Sequence, residues 1–269
     1  MHPLGEDVVL VKREDLCCPS GPPFSKMRGV VAHVAARPEG TIGVLDTRHS
    51  KAGWAVARAC RALGKRCVTY WPRYKSDPPE GLVREPQIRA AALGSATHSL
   101  RAGRSAILFH AARKHLVSTY PDSYLMPNAL KIPESVTENA AEASRTAPFL
   151  PDSGTLVVSI SSGTVAAGVL RGLSTSGVFR RGPWDVVLHL GYSRSIEAAR
   201  EYVLRSSEAD LDPGQILLVD EGYGYSDAVD VEVPFPCNPY YDAKAWRWLS
   251  RTASRESLMK PLVFWNIGD

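Results

Sequence analysis

Leu156-Val157-Val158-Ser159-Ile160-Ser161-Ser162-Gly163-Thr164-Val165-Ala166-Ala167-Gly168 is the stretch on which the fold turns. Its first five residues, rich in β-branched side chains, predict a buried strand, and Val165 to Leu173 has the spacing of a helix. Between them, Ser161, Ser162, Gly163 and Thr164 are small, hydroxylated or glycine. A strand, such a turn and a helix start make an anion cradle. Backbone N–H groups point outward, hydroxyls add donors, and the helix dipole favours negative charge. The same letters also suit a plain strand-to-helix turn. Neither a Walker lysine nor a G-x-G-x-x-G accompanies them, which removes the ATP and dinucleotide fingerprints.

The rhythm continues on both sides. Residues 8–11, 41–45, 65–71, 184–190, 215–219 and 261–265 are short apolar runs that predict strands. Helical spacing recurs over 26–34, 52–63, 88–93 and 104–117. Strands alternating with helices predict an α/β fold with mostly parallel sheets flanked by helices. Pro72, Pro78, Pro79, Gly81 and Pro86 mark residues 72–86 as an irregular connection, and Pro127 and Pro133 bracket another break.

The chain has 269 residues, 44% hydrophobic and 22% charged, which is globular composition and excludes disorder or a coiled coil as the main reading. No apolar run reaches the ~18–20 residues of a membrane span. The N-terminus has no basic region followed by an apolar one, so a soluble, cytoplasmic protein is expected. Five cysteines, none in a C-x-x-C pair, predict reduced thiols and no metal site.

Charge is uneven. The net charge is +4, yet residues 48–115 hold 14 Lys/Arg against three Asp/Glu, an excess of +11. Such a segment suits a polyanion such as nucleic acid, or an anionic substrate; a solvated basic face that binds nothing accounts for it equally.

Three further groups could carry chemistry. Lys26 follows the Pro/Gly loop 19–23 and opens a helix, where the dipole disfavours an ammonium and so favours the neutral amine of Schiff-base chemistry. Most lysines are surface residues, and Lys26 alone reads the same way. The loop 46–53 places Arg48, His49 and Lys51 between a strand end and a helix start, which suits a carboxylate or phosphate. Tyr223, Tyr225, Tyr240, Tyr241 and Asp242 could line a polar aromatic pocket, or be core and turn residues.

In order, these pieces resemble the fold-type II pyridoxal-phosphate enzymes, the tryptophan-synthase-β-like superfamily. The resemblance is nearest to the branch of 1-aminocyclopropane-1-carboxylate (ACC) deaminase and D-cysteine desulfhydrase. Val11 to Leu16 resembles the KREDL opening, and Phe24-Ser25-Lys26-Met27-Arg28 the Schiff-base lysine segment. Ser50 to Gly64 resembles the carboxylate loop and its helix, and Ser161 to Gly168 the phosphate loop. Glu221 to Gly224, Asn238 to Ala245 and Phe264 to Asp269 match the later motifs in the same order.

The resemblance implies two domains, 1–40 plus 146–269 and a small basic 41–145, with the cofactor in the cleft between them. It implies a lyase or deaminase acting at the α/β carbons of an amino-acid-type substrate, with pyridoxal 5′-phosphate as cofactor. Lys26 would form the Schiff base and move the α-proton. Ser161, Ser162, Gly163 and Thr164 would hold the phosphate, Asp242 would face the pyridine nitrogen, and Tyr223 and Tyr241 would face substrate. Ser50, Lys51 and Ala52 would meet the substrate carboxylate, with Lys51 also beside the cofactor. Lys51 and Ser25 stand where the family carries asparagine, and the chain is short for the family. Compact enzymes of this kind are similar to ones encoded among phage DNA-hypermodification genes. An amino-acid adduct on a thymine, gripped by nucleic-acid contacts through 48–115, is therefore one expectation. A catalytically degenerate protein that binds nucleic acid or a partner is the alternative. Homodimers are common in the family.

Overall fold

The computed structural model describes residues 1–4, 7–77, 84–252 and 258–269. In chain order its first elements are β1 (His2–Leu4), β2 (Asp7–Arg13), α1 (Met27–Ala36), β3 (Thr41–Leu45), α2 (Ala52–Ala62), β4 (Arg66–Arg73), α3 (Glu85–Ala92), β5 (Ala96–Arg101), α4 (Ser105–Thr119) and β6 (Ser123–Leu125). Then come α5 (Pro133–Thr146), β7 (Gly154–Ile160), α6 (Thr164–Thr175), α7 (Val178–Arg181), β8 (Trp184–Leu190), α8 (Ile196–Ser207), β9 (Ile216–Val219), α9 (Asp242–Thr252) and β10 (Leu262–Asn266). Among the described residues no helix is long and apolar enough to cross a membrane.

The expected irregular stretch 72–86 is shorter than its prolines suggest. Pro72 lies inside β4 and Pro86 in the first turn of α3, where a missing N–H costs no helical hydrogen bond. Residues 78–83 of that stretch lie outside the described residues. Pro133 likewise opens α5. Strand β5, Ala-Thr-His-Ser-Leu-Arg, is not legible in the sequence because it is polar and only partly buried. Helices α5, α8 and α9 are equally hidden; the buried faces of α5 and α8 are rich in Ala, Ser and Asn, and that of α9 includes Asp242, Lys244 and Thr252.

The chain forms two compact units, Met1–Arg28 with Ser135–Asp269, and Gly29–Glu134. These divisions fall inside α1 and α5, whereas the sequence places them at 40/41 and 145/146. Side-chain contacts explain the difference. His33 of α1 lies 2.8 Å from Glu134 and 3.1 Å from the Tyr124 hydroxyl, which ties α1 to the second unit. Residues 135–145 of α5 belong with α6 in the first unit. A Cβ on Gly168 would come within 2.7 Å of the Val136 carbonyl oxygen, so only glycine allows the two helices this approach.

The first unit holds a six-stranded sheet ordered β1-β2-β10-β7-β8-β9. Only the β1–β2 pair is antiparallel. Both faces are covered, as parallel sheets require. Leu156, Val158, Ile160, Leu188 and Trp265 pack on one side with α6 and α8. The alternate residues Val157, Val187, Leu262 and Phe264 pack on the other with Trp246 and Leu249 of α9. The second unit holds a parallel sheet ordered β5-β4-β3-β6, whose Leu45, Val68 and Tyr70 pack on Leu108, Ala112 and Leu116 of α4.

Candidate active site

Strands β2, β10, β7, β8 and β9 run parallel, so their C-terminal ends share one edge of the first sheet, the edge at which α/β folds hold ligands. The turn after β7 is Ser161 to Gly163. Gly163 takes φ +85° before α6, and a Cβ there would sit 2.9 Å from Cδ1 of Tyr202 and 3.0 Å from Cγ2 of Val203. Glycine is thus required both by the backbone and by the wall beside it. The Ser162 and Thr164 hydroxyls are buried, 3.1 Å apart, and Thr164 Oγ1 is 3.2 Å from the Tyr202 hydroxyl.

Lys26 immediately precedes α1, and its Nζ donates to Ser162 Oγ at 2.9 Å. The amine read from the sequence and the hydroxyl-lined turn 136 residues later therefore meet. The Lys26 segment is fixed from both sides. Ser25 N–H donates to the Ile267 carbonyl at 3.0 Å, and Phe24 bridges Gly268. Two residues on, Arg28 is paired with Glu14, which is 1% exposed, and Arg28 and Lys12 both reach Glu142. Burial raises the Glu14 carboxyl's pKa, and Arg28 and Lys12 oppose that shift. Glu14 and Asp15 thus anchor the start of α1 and the end of β10. Asp15 pairs with Arg13 and accepts from Asn266 Nδ2 at 3.1 Å. The KREDL letters alone do not disclose this structural work.

Asp242 is the first residue of α9 and is 2% exposed. Its Oδ1 accepts the Ile267 N–H at 3.2 Å. Ile267 therefore links the two groups through one residue, its carbonyl toward the Lys26 segment and its N–H toward Asp242. Burial pushes the Asp242 carboxyl up to about 8, with the Ile267 N–H opposing. A buried acid in this state is suited to a cationic partner, which would restore its charge.

The tyrosines divide. Tyr241 donates its hydroxyl to Tyr225 at 3.4 Å, and Tyr225 stands edge-on to Tyr192 with centroids 5.3 Å apart. Tyr223 stands over a different group: Lys244 Nζ lies 4.7 Å from its ring centroid and donates to the Gly191 carbonyl at 2.6 Å. Lys244 is fully buried, and burial lowers its pKa. Burial also raises the Tyr223 phenol, helped by Glu221. His189 Nε2 is 3.1 Å from Glu221, which also pairs with Arg251; burial holds His189 below its ordinary pKa. Sequence reasoning assigns no role to Lys244, His189 or Glu221. The available signals were a lysine among alanines, Ala243-Lys244-Ala245, and a histidine inside the apolar strand Val186-Val187-Leu188-His189-Leu190.

Ser50, Lys51 and Ala52 lie in the second unit, where Ala52 opens α2. Ser50 Oγ accepts the Ala52 N–H at 3.0 Å. Asp46 is fully buried and accepts from the Thr47 and Gly53 N–H groups at 3.0 and 3.1 Å, and burial pushes it up to about 6.

The first unit fits pyridoxal phosphate on its own chemistry. It offers an amine beside a hydroxyl-lined glycine turn, a helix N-terminus for a phosphate, and a buried carboxyl for a ring nitrogen. The Ser25 and Ser159 hydroxyls are buried near this edge without a hydrogen-bond partner among the described residues.

No family model matches the sequence. The chain is 60% identical over 264 residues to a protein of Pseudomonas phage M6 described as a glycyl-dTMP PLP-dependent decarboxylase, covering 97% of this chain and 94% of that one. Among solved structures, an ACC deaminase homologue superposes with a TM-score of 0.75 at 16% identity, over 96% of this chain and 83% of that one. Threonine deaminase isoform 2 from Solanum lycopersicum gives 0.67 at 14% identity, over 96% and 78%.

Proposed function

The chain belongs to the fold-type II pyridoxal-phosphate-dependent enzymes, and on that premise we propose that it removes the carboxylate from the α-carbon of a glycyl adduct carried by thymidylate. The observation that carries this reading is the 60% identity, over 97% of the chain, to a phage protein named for that activity. The expectation of a lyase or deaminase is thereby narrowed to carboxylate loss. A phage relative also makes the cytoplasm of an infected cell the expected compartment.

Pyridoxal phosphate, when bound, supplies an electron sink for the pair left on the α-carbon as CO2 departs. Lys26 is assigned to hold the cofactor covalently and to return a proton to the α-carbon; its 2.9 Å approach to Ser162 supports this. Ser161, Ser162, Gly163 and Thr164, with the N-terminal N–H groups of α6, are assigned to the cofactor phosphate. Asp242 is assigned to the ring nitrogen, where charge on the pair strengthens the sink. Tyr223 and Tyr241 are assigned to the substrate side. The phenol of Tyr223, raised by burial, keeps its proton at neutral pH and can donate it. Ser50, Lys51 and Ala52 are assigned to the substrate's anionic end, with Lys51 also facing the cofactor.

The test is incubation of the holoenzyme with glycyl-dTMP, reading CO2 and ammonia separately. CO2 release with retention of the amine is expected. Ammonia release with the carboxylate retained overturns the proposal in favour of deamination. Lys26→Ala is expected to lose both the visible cofactor band and turnover. A colourless wild-type protein would instead favour a degenerate, binding-only member.

A further inference from the structure

The second unit gathers positive charge at one edge of its sheet. In the order β5-β4-β3-β6, three adjacent parallel strands carry basic residues at their ends or in the loops that follow. Arg48 and Lys51 follow β3, Arg73 and Lys75 close β4, and Arg101 and Arg104 close β5. Arg73 and Arg101 are register partners. Neighbouring strands lie only ~4.8 Å apart, and like charges directly opposite weaken a pairing.

The helices repeat the pattern. α2, α3 and α4 follow these strands and start at the same edge. Their N-caps are Lys51, Arg84 and Arg104, and none makes a side-chain capping bond. Ser, Thr, Asp or Asn is the favourable residue there, and the helix dipole repels a cation. These three cations thus add no side-chain cap to the helices they precede.

The described acids nearby are outnumbered by these cations, and Asp77, which faces both Arg84 and Arg48, offsets only part of their charge. Asp46 is turned inward onto the Thr47 and Gly53 N–H groups, Asp77 accepts from Arg84 at 3.1 Å, and Glu85 pairs with Arg89. Tyr74 holds the cations in place: the Arg48 and Arg84 guanidinium carbons lie 5.0 and 5.7 Å from its ring centroid. Stacking of this kind fixes a guanidinium plane and leaves its edge donors for an oxyanion.

We propose that this edge is a phosphate-binding row, centred on Arg48, Arg73 and Arg101, that grips the phosphate or phosphodiester of the thymidylate bearing the amino-acid adduct. It is a second anion site, built in a different unit from the Ser161–Thr164 loop. The proposal rests on the thymidylate reading and adds to it the residues that read the nucleotide's charge.

The experiment measures binding of a short labelled oligothymidylate to the holoenzyme as a function of salt, with dTMP as competitor. Arg48→Gln, Arg73→Gln and Arg101→Gln are each expected to weaken binding roughly tenfold at low salt and to flatten the log–log salt slope by about 0.7. Arg61→Gln and Arg113→Gln remove the same charge from exposed positions on α2 and α4 away from the row, and are expected to bind as wild type. An unchanged melting temperature and cofactor band in each variant exclude misfolding. Competition by dTMP assigns the row to a mononucleotide phosphate; response to the oligomer alone assigns it to a strand backbone. Absence of wild-type binding at low salt overturns the proposal, as does equal weakening by the control variants. CO2 release is read separately, so a protein that binds but does not turn over loses the proposed reaction and keeps the row.

Discussion

Asp242→Asn tests whether the buried acid is built for a cationic partner. In the folded protein without cofactor, burial raises this carboxyl from 3.8 to about 8. Between about pH 4 and pH 8 the folded state therefore holds a proton that the unfolded state has lost. Stability falls as pH rises across that window, is undiminished below it, and levels off above about pH 8. A tenfold difference in proton affinity between the two states is worth ~1.4 kcal/mol, so the accumulated loss is about 4 kcal/mol at pH 7 and about 5 kcal/mol at pH 8. Asparagine has the shape of the protonated acid and keeps an oxygen for the Ile267 N–H. The variant should thus match wild type near pH 4 and exceed it by several kcal/mol at pH 8, both without cofactor. The assay is urea unfolding of the cofactor-free proteins at a series of pH values. Pyridoxal phosphate should then stabilise wild type more than the variant at about pH 8, because a ring cation favours the carboxylate that asparagine cannot supply. Parallel pH curves for the two cofactor-free proteins would refute the reasoning.

Two other substitutions probe the scaffold around the same edge. Gly163→Ala forces a side chain into the left-handed region and against Tyr202 and Val203; a cost of about 1–3 kcal/mol is expected. Displacing Tyr202 also breaks its contact with Thr164, so cofactor titration followed by absorbance should show affinity weakened by about tenfold or more. Glu14→Ala leaves the half-buried Arg28 without its nearest carboxylate and should cost about 3 kcal/mol. An unchanged denaturation midpoint would show that the pair does not anchor α1.

The sequence by itself determined the α/β class, the hydroxyl-and-glycine turn after β7 and the lysine that precedes α1. Each is a local matter. Strand-to-helix turns need small residues and glycine, buried parallel strands need apolar runs, and Lys26 stands directly before a helix. Resemblance to a known family then ordered these pieces. The comparisons bore out the family and the cofactor, while the residue roles remain proposals.

Tertiary structure decided what depends on approach between distant segments. The 2.9 Å contact of Lys26 with Ser162 spans 136 residues, and Ile267 ties the Lys26 segment to Asp242 from the far end of the chain. Lys244 and His189 are ordinary letters until packing buries them and shifts their acidity. The basic segment is the clearest case. Its excess charge is visible as composition, but its residues lie tens of positions apart. Only parallel pairing sets Arg73 opposite Arg101 and brings the end of β3, which Arg48 follows, to the same edge, because register between strands is set by long-range hydrogen bonding that no local pattern records.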